Sequence, residues 1–213
     1  MDLLAISATE ATLEFLKKGG VFMVPLVLCS ITGLTAIGFK IMSLGRPRIV
    51  PDGLARGMGE IHSSDSDSIV RQLKQGGSTL ARLGAVALRH HSKPAEDITR
   101  AVESSAREEV VKMHAGIGVL DVVITVAPLL GLLGTASGLV TIFQGLGETT
   151  DHLAIARGIA EALNTTIFGL AIAVPCVIAH SYFTRRIERL TARMESVLAD
   201  FVSACSHQTP PAH

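Results

Sequence analysis

Two stretches decide the fold of this chain: Ala127-Pro128-Leu129-Leu130-Gly131-Leu132-Leu133-Gly134-Thr135 and Gly158-Ile159-Ala160-Glu161-Ala162-Leu163-Asn164-Thr165-Thr166. Each leads into or lies within an apolar run long enough to cross a bilayer. Together they place hydroxyls, a carboxylate, a carboxamide and small residues where a lipid-facing helix carries Leu, Ile or Val. Such groups are expensive in hydrocarbon and face a protein interior or a hydrated path. The signal therefore concerns ions rather than covalent chemistry.

Outward from these stretches, three apolar runs emerge: 21–39, 122–146 and 162–184. The shortest has 19 residues, and each is long enough to cross about 30 Å of hydrocarbon. Pro25 near the start of the first is tolerable in a membrane helix. Residues 1–18 end in Lys17-Lys18 without a small-x-small cleavage site, so the first run reads as a retained anchor. Composition agrees: 48% of the 213 residues are hydrophobic and only 18% charged, with a mean hydropathy of +0.44. That balance marks an integral membrane protein with a modest soluble part. The net charge of zero gives no general attraction to nucleic acid. Cys29, Cys176 and Cys205 form no CxxC or Cys/His cluster, so neither a disulfide framework nor a metal site is indicated.

Charge placement sets orientation. From Lys40 to Lys112 the connection between the first two runs is dense in Lys and Arg. Arg185, Arg186, Arg189 and Arg193 follow the third run, whereas the short connection before it has a single basic residue, Arg157. By the positive-inside rule the long loop and the tail are cytoplasmic, the short connection is outside, and three spans put the N-terminus outside. The plan is an outer N-terminal segment (1–20), a first transmembrane helix (21–44), a cytoplasmic helical loop (45–115), a second transmembrane helix (116–147), an outer loop (148–160), a third transmembrane helix (161–184), and a cytoplasmic helix and tail (185–213).

Within the loop, Ser63-Ser64-Asp65-Ser66-Asp67 offers N-cap chemistry for a short helix ending at Gly76-Gly77. Residues 78–91 form another, with Leu80, Leu83, Val86 or Ala87, and Leu88 on its apolar face. Pro94, with Glu96 and Asp97 in the first turn, opens a third that is expected to continue into the second span without interruption. The tail repeats this design, with Ile187, Leu190, Met194, Val197 or Leu198, and Phe201 at helical spacing. The fold class is all-α.

The candidate site residues lie on the last two spans. Gly131, Gly134, Thr135 and Gly138 fall close to one side of the second, and Gly134 and Gly138 make a GxxxG that permits close helix approach. On the third, Thr166 and Gly169 share a small-residue stripe next to that of Glu161 and Thr165. Threonine hydroxyls both donate and accept, as a proton path or cation coordination requires. The competing reading is that each bonds the carbonyl four residues back, a common habit in membrane helices. Glu161 is a functional candidate as a carboxylate in a span, with an intersubunit salt bridge as its rival. Asp121 reads as a border charge, paired with Lys112 or a neighbour's Arg, and His180 as an interfacial residue. Pro128 and Pro175 each remove a backbone hydrogen bond and create a flexing point.

These residues resemble the ExbB/TolQ/MotA family of proton-channel, or stator, subunits. The resemblance rests on APLLGLLGT, a short outer loop, GIAEALNTT and FGLAIAVP, three spans and a large loop after the first. It is clearest from about Leu120 to Arg193 and closer to ExbB and TolQ than to the four-span MotA branch. It implies a long-helix bundle in which a homopentamer surrounds two single-span helices of an ExbD/TolR-type partner. An essential aspartate on that partner takes up and releases the ion. Thr135 and Thr166 match the pore-facing threonines of the family, and Glu161 its glutamate. Asn164 and Thr165 are more polar than the usual aliphatic and alanine and add ion-pathway ligands, leaving proton and sodium both open. Ala136-Ser137 replace a bulkier pair, and Arg157 a proline. The resemblance further implies an inner membrane, a periplasm on the outer side, and force passed to a TonB- or TolA-type protein. It implies no cofactor.

Two other readings compete. A motility-linked stator of the same family is one. A structural scaffold, in which the small faces only pack helices in lipid, is the other. No HExxH, GxSxG or facing pair of aspartates supports an intramembrane enzyme.

Overall fold

The computed structural model describes residues 21–45, 49–59, 66–145 and 152–207. The segment 1–20, the Ser63-Ser64-Asp65 part of the capping signal, Arg46 and Arg48, residues 146–151 and the terminus from 208 lie outside them. Among the described residues there are seven helices and no strand: α1 (Met23–Ser43), α2 (Asp52–Gly59), α3 (Ser66–Gln75), α4 (Thr79–Arg89), α5 (Ala95–His114), α6 (Ile117–Gly145) and α7 (His152–His207). Three stretches are long and apolar enough to cross a membrane: Met23–Ser43, Ala95–Gly145 and Ile155–Ala204. The all-α membrane class, with its second and third spans carried on long helices, is thus the observed one. α7 opens at His152, so its first turns occupy part of the expected outer loop.

The second long stretch differs from expectation at one point. It is interrupted at Ala115-Gly116, where Gly116 has φ of 84°. A residue with a Cβ adopts that left-handed conformation only at a cost of roughly 1–2 kcal/mol. The helix expected to run on without interruption is therefore broken at Gly116.

The helices gather into two compact units. The first comprises residues up to Gly38 and Gly116–Ser181, hence most of α1, all of α6 and the first part of α7. Leu26, Leu120, Val123, Ala127, Ile172 and Ala173 are buried in it. α1 joins at Gly33, where an added Cβ would stand 2.8 Å from the Cys176 Sγ and 3.4 Å from the Val123 Cγ1. α6 and α7 run antiparallel along a seam of small residues. An added Cβ would meet Ala162 Cβ at 2.8 Å from Gly138, Thr165 Cβ at 2.9 Å from Gly134, Thr166 Cα at 2.9 Å from Gly131, and the Ala127 carbonyl at 2.5 Å from Gly169. Backbones can approach that closely only where side chains are absent. Leu28, Ile31, Leu132, Val140, Ile167 and Ile178 remain exposed, an apolar surface suited to lipid or to neighbouring helices.

The second unit holds Phe39–Ala115 and the chain from Tyr182 onward. α3 stops before Gly76, and the Ser78 hydroxyl caps α4 by accepting from the Ala81 N–H at 3.2 Å. Leu80, Leu83 and Ala87 face inward from α4, and Ile187, Leu190, Met194, Leu198 and Phe201 from α7. Where the sequence left Val197 or Leu198 open, Leu198 is the buried one. Glu109 of α5 is buried and accepts hydrogen bonds from Arg82 of α4 and, at 2.9 Å, from Lys112. Lys112 is therefore committed to Glu109 rather than to Asp121. The short α2 has no counterpart in the sequence reading. Gly53 and Gly57 lower its helix propensity, and it is held by burial of Leu54 and Met58 and by an Asp52–Arg193 ion pair of 2.8 Å. Lys40, in the last turn of α1, is 1% exposed. Its Nζ donates to the Met113 carbonyl at 2.7 Å. In an unbroken helix the Ile117 N–H would fill that role; here an ammonium does so at the negative end of α5.

Candidate functional site

The site forms where the α6–α7 seam carries hydroxyls instead of methyls. Gly131 and Gly134 bring α7 so close that Thr165 and Thr166 reach the α6 backbone. Thr166 Oγ1 donates to the Gly131 carbonyl at 3.0 Å, across the two helices. Thr165 Oγ1 lies 3.1 Å from the same carbonyl and 2.9 Å from the Ala162 carbonyl. Thr135 Oγ1 lies 3.2 Å from both of those carbonyls and 2.5 Å from Thr166 Oγ1.

Hydroxyl bookkeeping shows what this cluster can do. Each threonine has one proton to donate and two lone pairs to accept with. Three protons are thus shared among two carbonyls and a hydroxyl–hydroxyl contact. Several proton arrangements fit the same heavy atoms, so the cluster can reorient its hydrogen bonds without moving a helix. It can present either an O–H or a lone pair to a passing ion or carboxyl group.

The other described threonines of this unit serve as controls. Thr32, Thr35, Thr125 and Thr141 each donate to the carbonyl four residues back, at 2.7, 2.7, 3.0 and 3.1 Å. That is the local habit expected of a membrane-helix threonine. Thr135 retains it as one of three contacts, and Thr166 instead bonds across the seam.

The structure separates the remaining candidates. Thr135 and Thr166 are half-buried, whereas Thr165 is 2% exposed and enclosed in the seam. Asn164 is half-buried; Glu161, one residue before the Ala162 carbonyl, is exposed. Gly131, Gly134 and Gly169 are buried in the contact and Gly138 nearly so. Pro128 and Pro175 lie inside α6 and α7 without ending either. With the helices in this register, the prolines fall within about one turn of each other in depth. Among the described residues no group of three His, Cys, Asp or Glu side chains could hold a metal ion.

Two features escaped sequence reading. The carbonyls of Gly131 and Ala162 complete the cluster, and backbone groups leave no trace in composition. Asp121 of α6 and His180 of α7 form a pair, with Oδ1 and Nε2 3.0 Å apart. The signal for that pair was present in the spacing. Asp121 precedes Thr135 by as many residues as His180 follows Thr166, so pairing the threonines antiparallel pairs these two as well.

The comparisons with known proteins point the same way. The sequence pattern of the MotA/TolQ/ExbB proton channel family matches residues 65–196. The biopolymer transport protein ExbB-like 1 of Synechocystis is 31% identical over 210 residues, covering 94% of this chain and 78% of that protein. The biopolymer transport protein ExbB homolog of Methanothermobacter thermautotrophicus is 30% identical over 187 residues, covering 87% and 67%. The Tol-Pal system protein TolQ of Pseudomonas aeruginosa is 35% identical over 108 residues, covering 50% and 47%. This membrane protein belongs to the MotA/TolQ/ExbB proton channel family, on its ExbB/TolQ branch.

Proposed function

We propose that the chain is the ring-forming subunit of an inner-membrane motor driven by an ion gradient. Five copies surround two helices of an ExbD/TolR-type single-span partner, with the N-terminus periplasmic and the C-terminus cytoplasmic. Thr135 and Thr166 face the lumen and exchange hydrogen bonds with the partner's carboxyl groups as these bind and release the ion. Asn164 adds a polar group to that wall. Thr165 acts from behind it, holding the Gly131 and Ala162 carbonyls in place. Glu161 guards the outer end, and Pro128 and Pro175 give the two helices room to flex. Each charge that crosses makes about 2.3 kcal/mol available per 100 mV of membrane potential. That work turns the ring against its axle and passes to a TonB- or TolA-type protein. The relatives' names, biopolymer transport and Tol-Pal, support both outlets.

The observation that carries this reading is the direct bond between the Thr135 and Thr166 hydroxyls, made while four neighbouring threonines settle for their own helix. The test is Thr166→Val. It preserves shape and removes the hydroxyl, and it should leave the oligomer intact while lowering ion-coupled transport about a hundredfold, the lower end for loss of a proton-handling group. Undiminished transport would return the threonines to the packing role that a plain scaffold requires.

A further inference from the structure

We propose that Asp121 and His180 form the cytoplasmic proton-transfer station of this pathway, an inference that rests on the ion-channel reading above. The pair joins the same two helices as the threonine cluster, with the His180 Nε2 3.0 Å from the Asp121 Oδ1. On each helix fourteen residues separate it from the threonine pair. At 1.5 Å per residue that is about 21 Å, and fourteen residues return to within about 40° of the same helix face. The two polar pairs therefore sit one below the other on one side of the seam, separated by most of a bilayer core. Ala127, Gly169 and Ala173 occupy the seam between them.

The chemistry of the pair suits proton release. A carboxylate that accepts from Nε2–H fixes the tautomer and leaves the Nδ1 lone pair as the basic site of a neutral imidazole. A proton arriving from the lumen binds Nδ1, and the imidazolium formed is held by the Asp121 carboxylate. The proton then leaves Nδ1 for cytoplasmic water, so one is taken up, one is released, and the pair returns to its starting state. Asp121 keeps 62% of its side chain exposed and His180 28%, an open side and a half-enclosed one. The nearest permanent charges along α7 are Arg185 and Arg186, five and six residues past His180, and Arg186 donates to the Tyr182 hydroxyl at 2.8 Å. On α6 Asp121 is the sole ionisable side chain, and on α1 up to Gly38 the sole one is Cys29. On α7 within the unit the others are Cys176, one turn before His180, and the distant Glu161, Arg157 and His152. Lys40 and Lys112, on the cytoplasmic flanks, are engaged by the Met113 carbonyl and Glu109.

The experiment reconstitutes the full chain with its partner in proteoliposomes. Potential-driven proton flux is followed as the pH on the cytoplasmic face is varied from 5.5 to 8.5. The wild-type flux should depend on the pH of the cytoplasmic face. His180→Gln, whose amide still reaches Asp121, should keep the oligomer, lose that pH dependence and conduct at least about tenfold more slowly above pH 7. Asp121→Asn should alter the pH profile as well, because the imidazolium formed loses its carboxylate partner. A mere structural staple would change thermal stability and leave the pH profile alone. A conducting wild type with unaltered profiles in both variants overturns this inference and spares the channel reading. A wild-type complex that carries no flux overturns both.

Discussion

One methyl group separates Gly131 from alanine, and the seam has no place for it. That methyl would stand 2.8 Å from the Thr165 carbonyl oxygen and 2.9 Å from the Thr166 Cα. Both are backbone atoms of α7, so the helices themselves must part. Gly131→Ala should lower stability by about 1–3 kcal/mol, as overpacking does, and separate the hydroxyls of Thr135 and Thr166. Gly118 offers the contrast within the same helix, since nothing lies within 4 Å of an added Cβ there. Gly118→Ala should be neutral or stabilise by up to about 1 kcal/mol through helix propensity. Thermal unfolding in detergent compares the two; equal effects would remove the seam from the account. At this scale the sequence was partly legible. Small residues at helical spacing announced a close approach, and two threonines announced a polar cluster. Composition could not tell Thr165, enclosed in the seam, from Thr166, which is half-open, because neighbouring residues on a helix differ by 100°.

The elements of the second unit are fastened by buried charge. Lys40 gives its ammonium to the carbonyl that the interruption at Ala115-Gly116 leaves without a helical donor. Lys40→Met keeps the apolar stem and abandons that carbonyl. Leaving a buried acceptor unsatisfied costs about 1–3 kcal/mol, and the loss should be read as a lower melting temperature with faster hydrogen exchange in the last turn of α5. Unchanged exchange would contradict the capping role. Glu109 ties α4 to α5. Burial pushes its carboxyl pKa up, but hydrogen bonds and charge from Arg82 and Lys112 outweigh this and hold it below the usual range. A folded pKa below the unfolded one adds stability that is present above about pH 4.3 and is lost as pH falls through the folded value. Glu109→Gln should therefore lower stability at neutral pH and flatten the acid limb of the stability profile, as a pH series of thermal melts can show. A variant as acid-sensitive as the wild type would assign that limb to other carboxylates. The sequence marked the end of α3 and the starts of α4 and α5 through Gly76, Ser78 and Pro94. It concealed α2, where three glycines in eight residues mask a helix made by burial, and the break at Gly116, which shows only as a backbone angle.

Across the whole molecule, hydropathy was the legible quantity, because a bilayer imposes a length on each span, while the charge bias it imposes on each loop supplies an expected orientation. Both are properties of stretches and survive ignorance of any contact. Long-range pairs such as Asp121–His180 depend on the register of two antiparallel helices, which no single stretch encodes. The charge bias leads to a test of orientation. His91 lies in the basic loop and Leu153 near the short connection, and both are exposed. In a chain with Cys29, Cys176 and Cys205 replaced by alanine, single cysteines at these two positions should react from opposite sides. A membrane-impermeant maleimide added to intact cells should label Leu153→Cys and spare His91→Cys; after the membrane is opened it should label both. The reverse pattern would invert the topology. It would place the Asp121–His180 pair at the outer end of the path, where an imidazole would collect protons instead of releasing them, and the dense Lys and Arg of the long loop would then face the side that the bilayer's charge rule disfavours.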